Sequence, residues 1–162
     1  MRHTISVLVQ NLPGVLSQVA GMFAARGFNI DSLAVGRTED PTLSRMTIVV
    51  LADEKTLEQV RKQLGKLIPV VKIVDYVGDD LVQRDLMLIK VAAAAEKRGE
   101  VQAIIDMFDA KVVDFGPKFV MVEVTGPEEK IESFIDTCRP YGVKDVVRTG
   151  MIAMSKHKKE AK

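Results

Sequence analysis

The sequence predicts an α+β protein made of two ferredoxin-like βαββαβ domains. Short β-branched segments alternate with amphipathic helical segments, in the order strand, helix, strand, strand, helix, strand, over residues 1–77. The same order returns from residue 85 with a different sequence. In each domain we expect an antiparallel sheet of four strands with both helices on one face. The predicted domains are 1–77 and 85–162, the second ending in a basic tail, with a linker at 78–84.

The first strand and the first helix carry the clearest patterns of the first domain. Residues 4–9 (T-I-S-V-L-V) are rich in β-branched side chains, which favour a strand. Apolar residues of the helix at 15–26 recur every three or four positions, and Gly27 follows where a left-handed C-terminal cap is expected. The remaining elements are a strand at 30–35, a loop at 36–44, a strand at 45–51, a helix at 54–66 capped by Asp53, and a strand at 70–77.

The second domain repeats this order. Its elements are a strand at 85–91, a helix at 98–109, strands at 111–115 and 119–124, a helix at 128–138, and a strand at 143–154 interrupted near Gly150. In the first domain, residues 47–51 (T-I-V-V-L) are apolar on both faces of their strand. We therefore expect a second copy or another domain to cover the face opposite the helices.

Composition excludes several classes of function. Hydrophobic residues make up 47% and charged residues 28% of the 162 residues, which is typical of a globular protein. The net charge of +1 gives no electrostatic argument for binding nucleic acid. No apolar run approaches the roughly 18 to 20 residues that span a membrane, and the N-terminus lacks the apolar core of a signal peptide. With a single cysteine, no internal disulfide forms, and we expect a cytoplasmic protein.

The residues that usually carry catalysis are sparse. His3 and His157 have no partner at a catalytic or metal-ligand spacing. Cys138 lies in a helical pattern and is predicted to be a small core residue. No glycine-rich phosphate loop follows a strand. We therefore expect no catalytic site, no metal and no cofactor on this chain.

Two turns at the ends of the first helix are candidates for a binding site. The first turn of the helix after Gly14 has unpaired N–H groups that can seat a carboxylate, and Asn11 and Asn29 add side-chain amides. Within one chain the two asparagines lie at opposite ends of the helix, but two antiparallel copies could bring Asn29 of one toward Gly14 of the other. The aliphatic walls would come from Leu12, Val15, Leu16 and Ile30, which suits a small aliphatic amino acid.

The alternative is that these are ordinary turn residues, and spacing alone favours it. Asn11 and Asn29 would then shape their turns, and the Pro-Gly step at 13–14 would only separate the strand from the helix. Arg37 and Arg45 flank the predicted loop. They are either solvated charges or contacts to a partner protein.

The N-terminal part resembles an ACT domain, a regulatory ligand-binding module. More closely, it is similar to the small, regulatory subunit of acetolactate synthase (acetohydroxyacid synthase). The resemblance is dense over residues 1–76, continues at 84–91, and is carried most specifically by residues 26–30 (R-G-F-N-I) and 40–47 (D-P-T-L-S-R-M-T).

The resemblance implies a function and a set of partners. The large subunit of that enzyme, a transferase, joins two pyruvates to 2-acetolactate and CO2 with thiamine diphosphate, Mg²⁺ and FAD, in branched-chain amino acid biosynthesis. The small subunit has no active site; it activates the large subunit and confers feedback inhibition, usually by valine. Effector sites lie between two ACT domains of a homodimer. By motif they fall here on Asn11, Gly14 and Asn29, with Leu12, Val15, Leu16 and Ile30 adjacent.

Two other functions stay open at this point. One is an ACT-type amino-acid sensor that serves a different enzyme, and the other is a dimerisation module that binds no ligand. Pull-down of the large subunit separates the first from the family function, and the effect of valine on thermal stability separates the second.

Overall fold

The computed structural model describes residues 1–76 and 81–156, and the elements follow the predicted order. The helices and strands are β1 (Arg2–Gln10), α1 (Val15–Ala25), β2 (Ile30–Arg37), β3 (Leu43–Leu51), α2 (Glu54–Leu64), β4 (Val70–Tyr76), β5 (Leu81–Ala92), α3 (Arg98–Met107), β6 (Lys111–Phe115), β7 (Phe119–Gly126), α4 (Glu128–Cys138), β8 (Val143–Arg148) and β9 (Ile152–Ser155). Short 3₁₀ helices cover Ala95–Lys97 and Arg139–Tyr141. The chain forms two compact units, of which the second is Gln83–Gly150 and the first contains the rest.

The first unit contains a four-stranded antiparallel sheet in the order β2-β3-β1-β4. In the central strand, Ile5 lies opposite Ile48 of β3 and Asp75 of β4. Apart from the β2–β3 hairpin, strands adjacent in space are not adjacent in sequence, because each helix carries the chain across the sheet. This is the ferredoxin-like order, so the predicted fold class is confirmed.

One face of this sheet packs against both helices to form the core. Alternate residues of β1 point into it, as the period of two in a strand requires. The buried members of the core are Ile5, Val7, Val9, Val15, Val19, Met22, Phe23, Met46, Ile48, Val50, Leu57, Val60 and Leu64. Phe23 also meets Phe28 edge to face, with ring centroids 6.5 Å apart. The apolar residues whose spacing predicted two amphipathic helices are therefore the ones that α1 and α2 bury against the sheet.

The opposite face of the first sheet is buried at its centre. Thr47 and Val49 of β3, with Thr4 and Ser6 of β1, are all less than 9% exposed. The residues that follow Gly150 belong to this unit, and the Met151 N–H donates to Ser32 Oγ at 2.9 Å. The cover that the apolar pattern of residues 47–51 requires is thus present within a single chain.

The second unit repeats the topology with its own core. The order β6-β7-β5-β8 corresponds strand for strand to that of the first sheet. Met87, Ile89 and Val91 of β5 are fully buried with Val122 and Val124 of β7. From the helices the core receives Val101, Ile104, Ile105, Ile131, Phe134 and Cys138. The prediction that Cys138 is a core residue is confirmed.

Burial also sets the chemistry of this cysteine. It raises the pKa of the Cys138 thiol to about 11, so the reactive thiolate is scarce at neutral pH. We expect Cys138 to resist a thiol reagent such as DTNB at pH 8 in the folded protein and to react fully in denaturant. The thiol pKa is higher in the folded chain than in the unfolded chain. The contribution of Cys138 to the free energy of unfolding is therefore fully present below about pH 9 and is lost as the pH rises toward 11. Rapid labelling of the folded chain at pH 8 would contradict this.

The structure corrects the loop predicted at 36–44. Gly36 and Arg37 belong to β2, and Leu43 and Ser44 belong to β3, because the hairpin continues to the pair Arg37 and Ser44. Asp40 closes the shorter turn, because its Oδ1 accepts from the Thr42 N–H at 2.8 Å and from the Thr42 hydroxyl at 2.6 Å. Turn-forming residues correctly predicted that a loop lies here, but the extent of pairing between β2 and β3 determines where the loop begins and ends.

The predicted domain borders also change. Strand β5 begins at Leu81, so residues 81–84 are strand rather than linker, and residues 77–80 lie outside the described part. Gly150, at φ +88°, separates β8 from β9. Residues 151–156 group with the first unit, although the sequence assigned them to the second domain. His157 and the basic tail from that position lie outside the described residues.

Candidate functional site

The N-terminus of α1 is open. Gly14 occupies the N-cap position in the left-handed conformation, at φ +83°, and within the described chain no side chain caps this helix end. Its first turn contains no acidic residue. A Cβ added at Gly14 would meet no atom within 4 Å apart from its chain neighbours, so the cap position itself is not crowded. The Val15 N–H donates to the Leu12 carbonyl at 3.4 Å, so the N–H groups that a bound carboxylate could use are those of the next residues of the turn.

Two glycines of this region allow a test of whether position 14 requires the left-handed backbone conformation. We expect Gly14→Ala to lower the free energy of unfolding by about 1 kcal/mol, because a left-handed residue with a Cβ is strained. Gly21 lies inside α1, is exposed and has open space at its Cβ position. Gly21→Ala should raise the free energy of unfolding by about 0.5 to 1 kcal/mol. Urea unfolding of both variants measures this, and equal effects would show that Gly14 is not conformationally required.

The leucines beside this turn are exposed, whereas the valine is not. Leu12 is 58% and Leu16 45% exposed, so their side chains can line a ligand or a neighbouring chain. Val15 is 4% exposed and belongs to the core of the first unit, so it cannot form a wall as the sequence suggested. Ile30 is half-buried and packs against the same core. The apolar wall therefore reduces to Leu12 and Leu16 on the α1 side.

Asn11 is tied to the hairpin between β2 and β3. Its Nδ2 donates to the Pro41 carbonyl at 2.9 Å, and its backbone N–H donates to the Thr42 carbonyl at 2.7 Å. These bonds hold the strand end that leads into Gly14. Asn11 thus has a structural role of the kind expected for a turn residue, and because the residue is exposed its amide oxygen can still accept a hydrogen bond.

Asn29 lies at the other end of α1. It lines a surface pocket of about 460 Å³ together with Gly27, Phe28, Val50 and Asp53. Neither Asn11 nor Gly14 contributes to this pocket. The 11 residues of α1 separate the two turns by about 16 Å. The structure therefore does not bring the predicted site residues together within one chain.

The strand that begins beside Asn29 is at an edge of the sheet. In the described residues, β2 pairs only with β3. Val35 is 47% exposed on this strand, and Asp31 forms an ion pair with Arg2, with Nη1 and Oδ2 2.6 Å apart. An edge strand presents backbone N–H and C=O groups that a second chain can pair with. No residue pattern in the sequence marks this edge, and only the strand order shows it.

The two arginines have different surroundings. Arg37 is exposed at the end of β2. Arg45 is exposed on β3, and its Nη1 donates to Ser6 Oγ at 3.0 Å. Arg45 is thus partly engaged within the sheet, whereas Arg37 presents its charge at the open edge.

The described residues contain no group of three or more His, Cys, Asp or Glu side chains that could hold a metal ion. His3 lies on β1 and is 8% exposed, and its Nε2 has no hydrogen-bond partner among the described residues. No helix in the described ranges has the length and apolar content to cross a membrane.

Comparison with known proteins gives the same picture in both halves of the chain. A family model described as an AHAS small subunit-like ACT domain matches residues 5–72. A second, described as the small subunit of acetolactate synthase, matches residues 84–157.

Individual relatives match over nearly the whole chain. The probable acetolactate synthase small subunit of Archaeoglobus fulgidus is 51% identical and covers 99% of this chain and 100% of its own length. The corresponding subunit of Mycolicibacterium smegmatis is 47% identical over 95% of this chain and 91% of its own. The crystal structure of the acetolactate synthase small subunit from Thermotoga maritima is 39% identical, with a TM-score of 0.89 over 98% of this chain and 99% of its own.

Full-length identity, two matching family models and a shared fold agree. The chain therefore belongs to the acetolactate synthase small subunit family.

Proposed function

We propose that this chain is the regulatory subunit of acetolactate synthase, which activates the large subunit and makes it sensitive to valine. The observation that carries the ligand site is the open first turn of α1, with Gly14 at its cap and exposed leucines on either side. Thiamine diphosphate, Mg²⁺ and FAD would belong to the large subunit. Membership of the family supports the large subunit as partner.

The chemistry of the α1 turn suits the two ends of an amino acid. The carboxylate of valine would accept from the N–H groups of Leu16 and Ser17, where the helix dipole also favours negative charge. The isopropyl group would pack against Leu12 and Leu16. Their side chains are exposed in the free chain, so this contact would remove apolar surface from water. The amide oxygens of Asn11 and Asn29 can accept from the ammonium group.

Completing the site requires a second copy. Asn29 lies about 16 Å from the open turn of its own chain, but it begins the edge strand β2. Two chains that pair antiparallel along β2 would form a two-fold dimer, in which Asn29 and Ile30 of each reach toward Gly14 of the other. Each dimer would then hold two equivalent sites.

A site shared by two chains can regulate. Valine that contacts both chains binds best to one arrangement of the two subunits. Binding therefore increases the fraction of dimers in that arrangement. We propose that this state holds the large subunit in its less active form. Arg37 at the end of the β2 edge, Arg45 on β3 and the second unit are candidates for contact with the large subunit.

Calorimetry tests the site. We expect valine to bind the wild-type chain and Asn29→Ala to weaken binding by about 10-fold, the loss of an amide contact to a charged group. Gln102→Ala is the matched control, because it removes an exposed amide from α3, which belongs to the second unit. Equal affinities of wild type and Asn29→Ala would refute the proposed site.

Reconstitution tests the function. Adding this chain to the large subunit should raise the rate of acetolactate formation, and valine should lower the raised rate. A chain that neither activates the large subunit nor makes it sensitive to valine would contradict the proposal. Valine binding without any effect on the large subunit would instead indicate a sensor for a different enzyme.

A further inference from the structure

The edge strand β6 of the second unit is exposed along its whole length. All five of its residues, Lys111–Phe115, are exposed, and in the described chain it pairs only with β7. Val112 and Val113 stand next to each other on this edge, and Phe115 is 60% exposed. Long exposed apolar edges are uncommon, because they present backbone groups and apolar surface to other chains.

The Phe115 ring is held in a defined position. The Arg98 guanidinium lies over the ring, with its carbon 4.9 Å from the ring centroid. Arg98 Nη2 also donates to the Pro117 carbonyl at 2.8 Å. The contact with Arg98 therefore orients the exposed Phe115 ring. An exposed apolar side chain in a fixed orientation is suited to contact another protein.

A β-bulge changes which side chains share a face. Lys111 lies opposite Glu123 and Asp114 lies opposite Met121, and Val113 has no partner on β7. In a regular strand, residues three positions apart point to opposite faces. The extra residue in the bulge places Lys111 and Asp114 on the same face of the sheet. The ion pairs of the described residues include neither side chain.

The segment K-V-V-D at 111–114 is complementary to itself when two copies run antiparallel. With Val112 opposite the partner's Val113, Lys111 of each chain stands opposite Asp114 of the other. Residues that are directly opposite must share a face, and the bulge meets this condition. The contact therefore contains two opposite-charge pairs around a central group of four valines, and both chains use the same surface.

We propose that β6 is a self-association edge, on which a second copy of this chain pairs antiparallel about a two-fold axis between Val112 and Val113. This contact lies in the second unit and is separate from the dimer proposed along β2. The protein would then have two isologous surfaces, one in each unit.

A charge exchange in the full-length chain tests the contact. Lys111→Asp places two like-charge pairs in the contact, and so does Asp114→Lys. Each should weaken the concentration-dependent association in sedimentation velocity by about 10-fold, since attraction becomes repulsion at two places. The variant with both changes has the composition of the wild type and restores both pairs, so it should associate within about 3-fold of wild type.

Two controls separate this contact from other effects. Lys66→Asp makes the same change of net charge at an exposed residue of the first unit and should leave the association unchanged. Valine binding by calorimetry should be the same in all these variants, so a failure here is distinguishable from a failure of the proposed effector site.

Amide exchange gives an independent readout. The N–H groups of residues 111–115 should exchange more slowly at high concentration in wild type and in the double variant, but not in either single variant. The proposal is overturned if single reversals leave the association unchanged, if the double variant does not regain it, or if wild type shows no protection of this strand. The last result would show that the bulge protects the edge from pairing.

Discussion

Mixing Leu16→Asp subunits with Asn29→Ala subunits is expected to restore high-affinity valine binding, which neither variant shows alone. Leu16→Asp places a carboxylate at the exposed N-terminal turn of α1, where it repels the carboxylate of valine. Asn29→Ala removes the amide that the partner chain contributes. In a mixed dimer, one site carries both changes and the other carries neither. With random mixing, about a quarter of all sites should be intact.

Calorimetry of the co-expressed mixture measures this fraction as the stoichiometry of the sites that bind with wild-type affinity. The matched control mixes Leu16→Asp with Leu12→Asp, because both changes lie on the α1 side and no mixed dimer then has an intact site. Both positions are exposed, so the fold should tolerate the substitutions. If the first mixture has no sites of wild-type affinity, or if the control mixture has them, the site is not shared between two chains as proposed.

Asp85→Asn is expected to have the largest effect on stability, lowering the free energy of unfolding by about 2 to 3 kcal/mol. The Asp85 carboxylate is 2% exposed at the start of β5. Its Oδ2 accepts from Arg148 Nε at 2.7 Å, and its Oδ1 accepts from the Thr149 hydroxyl at 3.1 Å. An amide in its place leaves the arginine facing a neutral group in a desolvated position.

Glu132→Gln is the matched control, because Glu132 binds the same arginine. Its Oε1 lies 2.6 Å from Arg148 Nη1, but its side chain is 46% exposed, and water screens this pair. We expect a loss below about 1 kcal/mol. Urea unfolding followed by circular dichroism measures both variants. Equal losses would show that burial does not decide the strength of these two pairs.

Local pattern predicted the elements well, because the spacing of apolar residues records which face of each element is buried. Helix α1 begins at Val15, and Asp53 caps α2, accepting from the Thr56 N–H at 2.7 Å. Both follow from short-range chemistry that the sequence displays. The errors lie where pairing between strands decides, as at Gly36 and Ser44, since a ladder extends as far as its partner allows.

Binding residues were harder to predict than elements. Val15 is next to the open turn in sequence, yet helical geometry turns its side chain into the core while Leu16 stays exposed. Strand order, which a sequence does not display, places β2 and β6 at the edges of their sheets. The bulge at Val113 is likewise visible only in the pairing of β6 with β7.

The sequence by itself determined the fold class, the two amphipathic helices of each half and the family. These depend on periodicity, turn residues and short motifs, which act over a few positions of the chain. Only the tertiary structure decided that β2 is an edge strand, that the return at Met151 joins the first unit, and that Lys111 and Asp114 share a face. Each of these depends on contacts between residues distant in sequence, whose geometry is fixed only when the sheets form.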